Sequence, residues 1–193
     1  MTSGDIFAGL RFGHRPTGLE EDPVKMNESL LSEFDEEMAA TRKFLELVPN
    51  EKLGWKPHEK SMTIGQLAWH LSDMPSWCSY TFKLDTLRLS PDDYQKKVAE
   101  RQGKGAKEIL AQFEGDLNDA RAQLAAADDA ALAQQWKMIF GEQTIVDMPR
   151  REVLRKWVMN HLIHHRAQLG VFLRLNGIAI PGVYGPSADE TPS

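Results

Sequence analysis

One cysteine in 193 residues leaves no partner for a disulfide within the chain, and this economy suits a reducing, cytoplasmic location. Cys78 lies in an apolar helical stretch and reads as a small buried hydrophobe rather than a nucleophile. No apolar run approaches the ~18 residues that a membrane-crossing helix requires, and residues 1–25 lack the continuous apolar core of a secretory signal. A membrane is therefore not an expected partner. An excess of positive charge is missing as well. Lys and Arg number 23 against 28 Asp and Glu, a net charge of −5, so the overall field disfavours phosphate backbones and no nucleic acid is expected. The basic pairs Arg150-Arg151 and Arg155-Lys156 read as a solvated helix face. No internal repeat occurs. The hydrophobic share of 41% and charged share of 26% are those of an ordinary globular domain.

What is present is helical periodicity. Residues 1–25, rich in Gly, Pro and charge, read as an N-terminal arm, and residues 26–193 as one domain. In the arm, Ile6, Phe7, Leu10 and Phe12 are positions for packing on the domain or on a second subunit. Leu30, Leu31, Phe34, Met38, Thr41, Leu45 and Val48 recur at three- and four-residue steps, predicting a helix over 26–48 that Pro49-Asn50 ends. A second helix starts at Ser61 or Thr63, either of which can cap it, and Pro75 should kink or interrupt it. Residues 84–104 turn polar and read as a long connection, with a break at Ser90-Pro91-Asp92-Asp93. A third helix follows over 106–127. Residues 136–146 suit a small β-hairpin around Gly141-Glu142-Gln143. Pro149 suits the first turn of a fourth helix that runs to about 175 and stops at Asn176-Gly177. The expected architecture is an all-α four-helix bundle with a long crossover connection and a possible small β-hairpin before the last helix.

The fourth helix carries the most informative residues. At about 100° per residue, His165 lies some 40° around the axis from His161, and His164 about 60° the other way. Either pair can hold one ion, and spacing does not choose between them. The stripe Leu154, Val158, His161, His165, Phe172 places His161 and His165 on the seam facing the other helices. Imidazoles aimed into a core are costly unless their nitrogens find partners. A divalent metal would supply one, and His70, beside the apolar stripe of the second helix, offers a third ligand. Three neutral imidazoles about 2.0–2.1 Å from zinc leave a fourth position for water. The competing reading has these histidines as core residues hydrogen-bonded to acids. No glutamate follows His161, so the zinc-protease pattern H-E-x-x-H is absent.

Further residues are candidates around such a site. Trp69, Trp77 and Tyr80 could wall a substrate pocket, although aromatics at helical spacing also serve as plain core. Asp73, Glu36 and Glu37 are acids that could orient a ligating imidazole. Arg166 could meet a substrate carboxylate or pair with Asp189 or Glu190. No catalytic residue is assigned beyond the metal ligands.

The segments Leu67-Ala68-Trp69-His70-Leu71 and Asn160-His161-Leu162-Ile163-His164-His165-Arg166-Ala167-Gln168-Leu169, with the tail from Ile180 to Glu190, resemble the DinB-like family. The resemblance implies a four-helix bundle of up-down-down-up order with a three-histidine site for zinc or nickel. That site maps to His70, His161 and His165, with His164 a neighbour. Ala167 stands where many members carry glycine. Better-understood relatives act with low-molecular-weight thiols, as S-transferases or a maleylpyruvate isomerase, and homodimers are common. The resemblance implies a metal-dependent enzyme acting on a small molecule, by thiol transfer or by hydrolysis. The alternative is a non-catalytic, stress-associated metal-binding protein whose ion holds the helices together.

Overall fold

The first helix follows directly from its apolar stripe. In the computed structural model, which describes residues 24–190, α1 spans Met26–Glu46 and buries Leu30, Phe34, Met38, Thr41, Phe44 and Leu45. The expected arm over 1–25 lies outside the described residues, save Val24 and Lys25.

The second expected helix is two. Thr63 caps α2 (Ile64–Ser72), accepting from the Gln66 amide while the Gln66 side chain returns the bond. The helix stops at Asp73, and α3 runs Met74–Lys83. Pro75 explains the break, because it has no N–H to give the Leu71 carbonyl and fits only the opening of a new helix. His70 thus sits in the last turn of α2.

The polar connection over 84–104 contains two elements that its composition does not suggest. Strand β1 spans Thr86–Leu89 and helix α4 Pro91–Glu100. Ser90-Pro91-Asp92-Asp93 is not a break but a helix start: Ser90 Oγ accepts from the Asp93 amide, and the Asp93 carboxylate accepts from the Ser90 amide. α5 (Ala106–Ala126) buries Ile109, Phe113, Ala120 and Leu124, and is followed by a short α6 (Asp129–Ala133). The long α1 and α5 pack on each other, α3 packs on α5, and α2 packs on α5.

The hairpin is present as β2 (Gln135–Phe140) and β3 (Gln143–Pro149), antiparallel with an irregularity at Met138/Ile139. Gly141 at φ +59 lets the chain reverse between them. β1 adds to β2 in parallel, giving sheet order β1-β2-β3. The chain is therefore mostly helical with a small three-stranded sheet, rather than all-α.

Pro149 precedes α7 (Arg150–Val153) rather than lying in its first turn. A π-helical turn, Leu154–Met159, joins α7 to α8 (Asn160–Leu175), which packs on α1 and α2. A π turn fits one extra residue, and so re-aims the downstream face by roughly 100°. His161 follows its last residue, Met159, by two positions. Gly177 at φ +75 ends the rod.

The helices share one core, while Leu87, Trp136, Met138, Val146 and Val153 form a smaller one under the sheet. Trp77 packs against both clusters. It stands at the junction where the histidines of α2 and α8 meet.

Candidate metal centre

Three imidazoles from two helices converge. Ring centroids are 4.9 Å apart for His70 and His161, 4.6 Å for His70 and His165, and 4.6 Å for His161 and His165. One potential ligand nitrogen from each lies within 4.8 Å of the others. The Nε2 atoms of His70 and His161 face each other at 3.1 Å. Two nitrogens bound tetrahedrally to one zinc at about 2.0–2.1 Å stand roughly 3.3 Å apart, so this spacing fits a shared ion. His164 is exposed and outside this group, its ring 5.0 Å from that of His165.

Burial keeps the three rings neutral. It lowers the His70 pKa to about 4, with the neighbouring His165 and His161 rings adding to the shift. It also lowers those of His161 and His165, opposed by a backbone hydrogen bond at Trp157 for the first and by Gln168 for the second. Neutral imidazole is the ligand form. The set contains no carboxylate, so a bound divalent ion would keep its full charge.

The surrounding candidates divide. The Trp77 ring stands nearly perpendicular to that of His161 with centroids 6.4 Å apart, and Trp157, which sequence reasoning did not single out, does the same at 6.2 Å. Trp157 is four residues before His161, a helical-neighbour spacing that could have flagged it. Trp69 lies under the guanidinium of Arg101, 4.7 Å from ring centre to Cζ. Asp73 does not orient His70 by hydrogen bond. Its Oδ1 takes Arg101 at 2.5 Å and Lys97 at 2.9 Å, tying α4 to the helices. Tyr80 is exposed, and its carbonyl accepts from Trp136 Nε1, a link to the sheet.

Two expectations are corrected. Glu37 and Arg166 do not face the histidines as an orienting acid and a substrate cation; they are buried against each other, 2.7 Å apart. Arg166 also donates to the Glu37 carbonyl and to Tyr184 Oη, and Tyr184 donates to Glu37 Oε1. Burial forces this pairing, since neither charge could remain unpaired there. The alternative partners of Arg166 are occupied elsewhere: Asp189 pairs with Arg174, and Glu190 accepts backbone amides of Gly182 and Ser187. Glu36 is exposed.

A mostly helical chain that gathers three imidazoles at a helix junction defines a class of candidate metalloproteins. The chain belongs to the DinB family, whose model matches residues 23–192. It is 27% identical over 164 residues to the protein YrdA of Bacillus subtilis (strain 168), covering 83% of this chain and 89% of that one. Among solved structures it is similar to YfiT from Bacillus subtilis, described as a probable metal-dependent hydrolase with an unusual four-helix bundle topology. That match has a TM-score of 0.61 at 16% identity, over 86% of this chain and 95% of YfiT. It is also similar to a mycothiol-dependent maleylpyruvate isomerase, with a TM-score of 0.56 at 14% identity, over 75% of this chain and 60% of that one. Likeness at such identities concerns the fold.

Proposed function

We propose that the chain binds one divalent metal, zinc or nickel, through His70, His161 and His165, and is a metal-dependent enzyme acting on a small molecule. The observation that carries this reading is the convergence of three neutral, half-buried ligand nitrogens within 4.8 Å. In this reading α1, α2 with α3, α5, and α7 with α8 are the four members of a bundle in up-down-down-up order, and residues 84–105 are its crossover. Such an ion supplies Lewis acidity, lowering the pKa of a water or thiol that reaches it.

Thiol-dependent S-transfer is the favoured reaction, with hydrolysis second. The rings of Trp77 and Trp157 both lie against His161, an apolar setting that suits a sulfur nucleophile more than a hydrated one. The mycothiol-dependent relative supports a low-molecular-weight thiol as co-substrate, and YfiT supports the hydrolase reading. In S-transfer a bond forms from sulfur to an electrophilic carbon as the bond from carbon to its leaving group breaks. The thiol proton departs with the leaving group or to solvent. The chain's own side chains hold the ion, wall the thiol and limit water.

The test is turnover by zinc- and nickel-loaded protein on a panel of thiol–electrophile pairs and a panel of esters and amides. The His161→Ala variant serves as control. Thiol conjugation that vanishes in the variant supports S-transfer, and ester or amide cleavage alone selects the hydrolase. Metal uptake without turnover on either panel selects the non-catalytic metal-binding alternative.

A further inference from the structure

One side chain ties two histidines of α8 together. Gln168 stands three residues after His165 and four after His164, one helical turn from both. Its Oε1 lies 2.8 Å from His165 Nδ1, and its Nε2 lies 3.1 Å from His164 Nε2. An amide oxygen only accepts and an amide NH2 only donates. In this orientation His165 carries its proton on Nδ1, and His164 presents a lone pair at Nε2. A neutral imidazole has one such proton, so His165 Nε2 is left bare, which is the form a divalent ion takes.

We propose that Gln168 is a positioning residue for the metal centre: it fixes the tautomer of His165 that leaves Nε2 free, with exposed His164 as the second partner of its amide. The inference rests on the metal reading above. It also gives His164 a role, though it lies outside the ligand group. If the amide were reversed, its NH2 would face His165 Nδ1 and the ring proton would move to Nε2, on the side of His70 and His161. That proton would have to be expelled before an ion could bind.

The experiment reads the tautomer without metal. Long-range proton–nitrogen correlation spectra of nitrogen-15-labelled, metal-free protein at about pH 8, above the ordinary histidine pKa, identify the protonated nitrogen of each ring. The wild-type His165 should be protonated at Nδ1. Gln168→Leu should shift it toward Nε2–H and weaken zinc binding by about 10–100-fold in a chelator competition. Gln168→Glu, whose carboxylate still accepts from Nδ1–H, should restore the tautomer and most of the affinity. His164→Ala should weaken zinc binding less than Gln168→Leu does. A wild-type His165 protonated at Nε2, or a Gln168→Leu protein with unchanged tautomer and zinc affinity within about twofold of wild type, overturns the inference. Failure of the metal reading would look different: the wild type itself would take up no zinc or nickel, whatever the tautomer of His165.

Discussion

Replacing Arg166 with methionine should be among the most damaging changes in the molecule, although that residue lies outside the three-histidine group. Arg166 is 3% exposed and Glu37 6% exposed. Arg166 Nη2 lies 2.7 Å from Glu37 Oε2 and 2.9 Å from Tyr184 Oη, while Nη1 reaches the Glu37 carbonyl at 3.0 Å and Thr41 Oγ1 at 3.3 Å. Removing one partner of a buried pair strands the other charge, at a cost of about 3–5 kcal/mol. For a chain of this size each kcal/mol lowers Tm by about 2–4 °C, so Arg166→Met should melt roughly 6–20 °C below wild type. The double variant Glu37→Met/Arg166→Met removes both charges and should recover most of that loss. Tyr184→Phe, which removes a hydroxyl bonded to both partners, should cost only about 1 kcal/mol. Urea unfolding of metal-free protein, followed by circular dichroism and tryptophan fluorescence, measures all three. A loss below about 1 kcal/mol for Arg166→Met would refute this argument. So would a double variant as unstable as the worse single one.

Other consequences can be checked with simpler variants. In α5, a Cβ added at Gly115 meets nothing within 4 Å, whereas in α8 one added at Gly170 stands 2.9 Å from Phe44 Cε1. Gly115→Ala should therefore stabilise by about 0.5–1 kcal/mol and Gly170→Ala destabilise by about 1–3 kcal/mol, read as opposite shifts in urea midpoint. Burial pushes the Cys78 thiol up to about 12, so it should resist a thiol-reactive dye in the folded protein and react on unfolding. The folded pKa of His70, about 4, lies below its ordinary 6.5. Between those values the unfolded chain binds more protons, so His70's contribution is complete above about pH 6.5 and is lost as pH falls through 4. Tm of metal-free protein should fall over that window, and fall less steeply in His70→Ala; identical slopes would contradict the assignment.

Local signals carried the helices well. The stripes of α1 and α5 and the stop at Asn176-Gly177 are written in side-chain periodicity and turn chemistry, and the structure follows them to within a few residues. Non-local contacts were harder to read. Strand β1 is four residues long with only Leu87 buried, and it exists because β2, some fifty residues later, pairs with it. Helix α4 buries no residue and is held through Asp73, so it shows no apolar stripe; its capping residues were visible but resembled a turn. The π turn before His161 leaves no mark in composition. At the site, helical spacing left His164 and His165 as rival neighbours of His161. Only the placement of α2 brings His70 to the second and leaves the first exposed. The Glu37–Arg166 pair joins residues 129 apart in sequence, and nothing local announces it.

The most direct test of the account is the metal content of protein purified without an affinity tag or added metal, measured beside His161→Ala. About one zinc or nickel per chain, lost in the variant, is the predicted result. No metal in the wild type, and no tight uptake when zinc or nickel is supplied, would contradict it and leave the three histidines as partners of one another in the core.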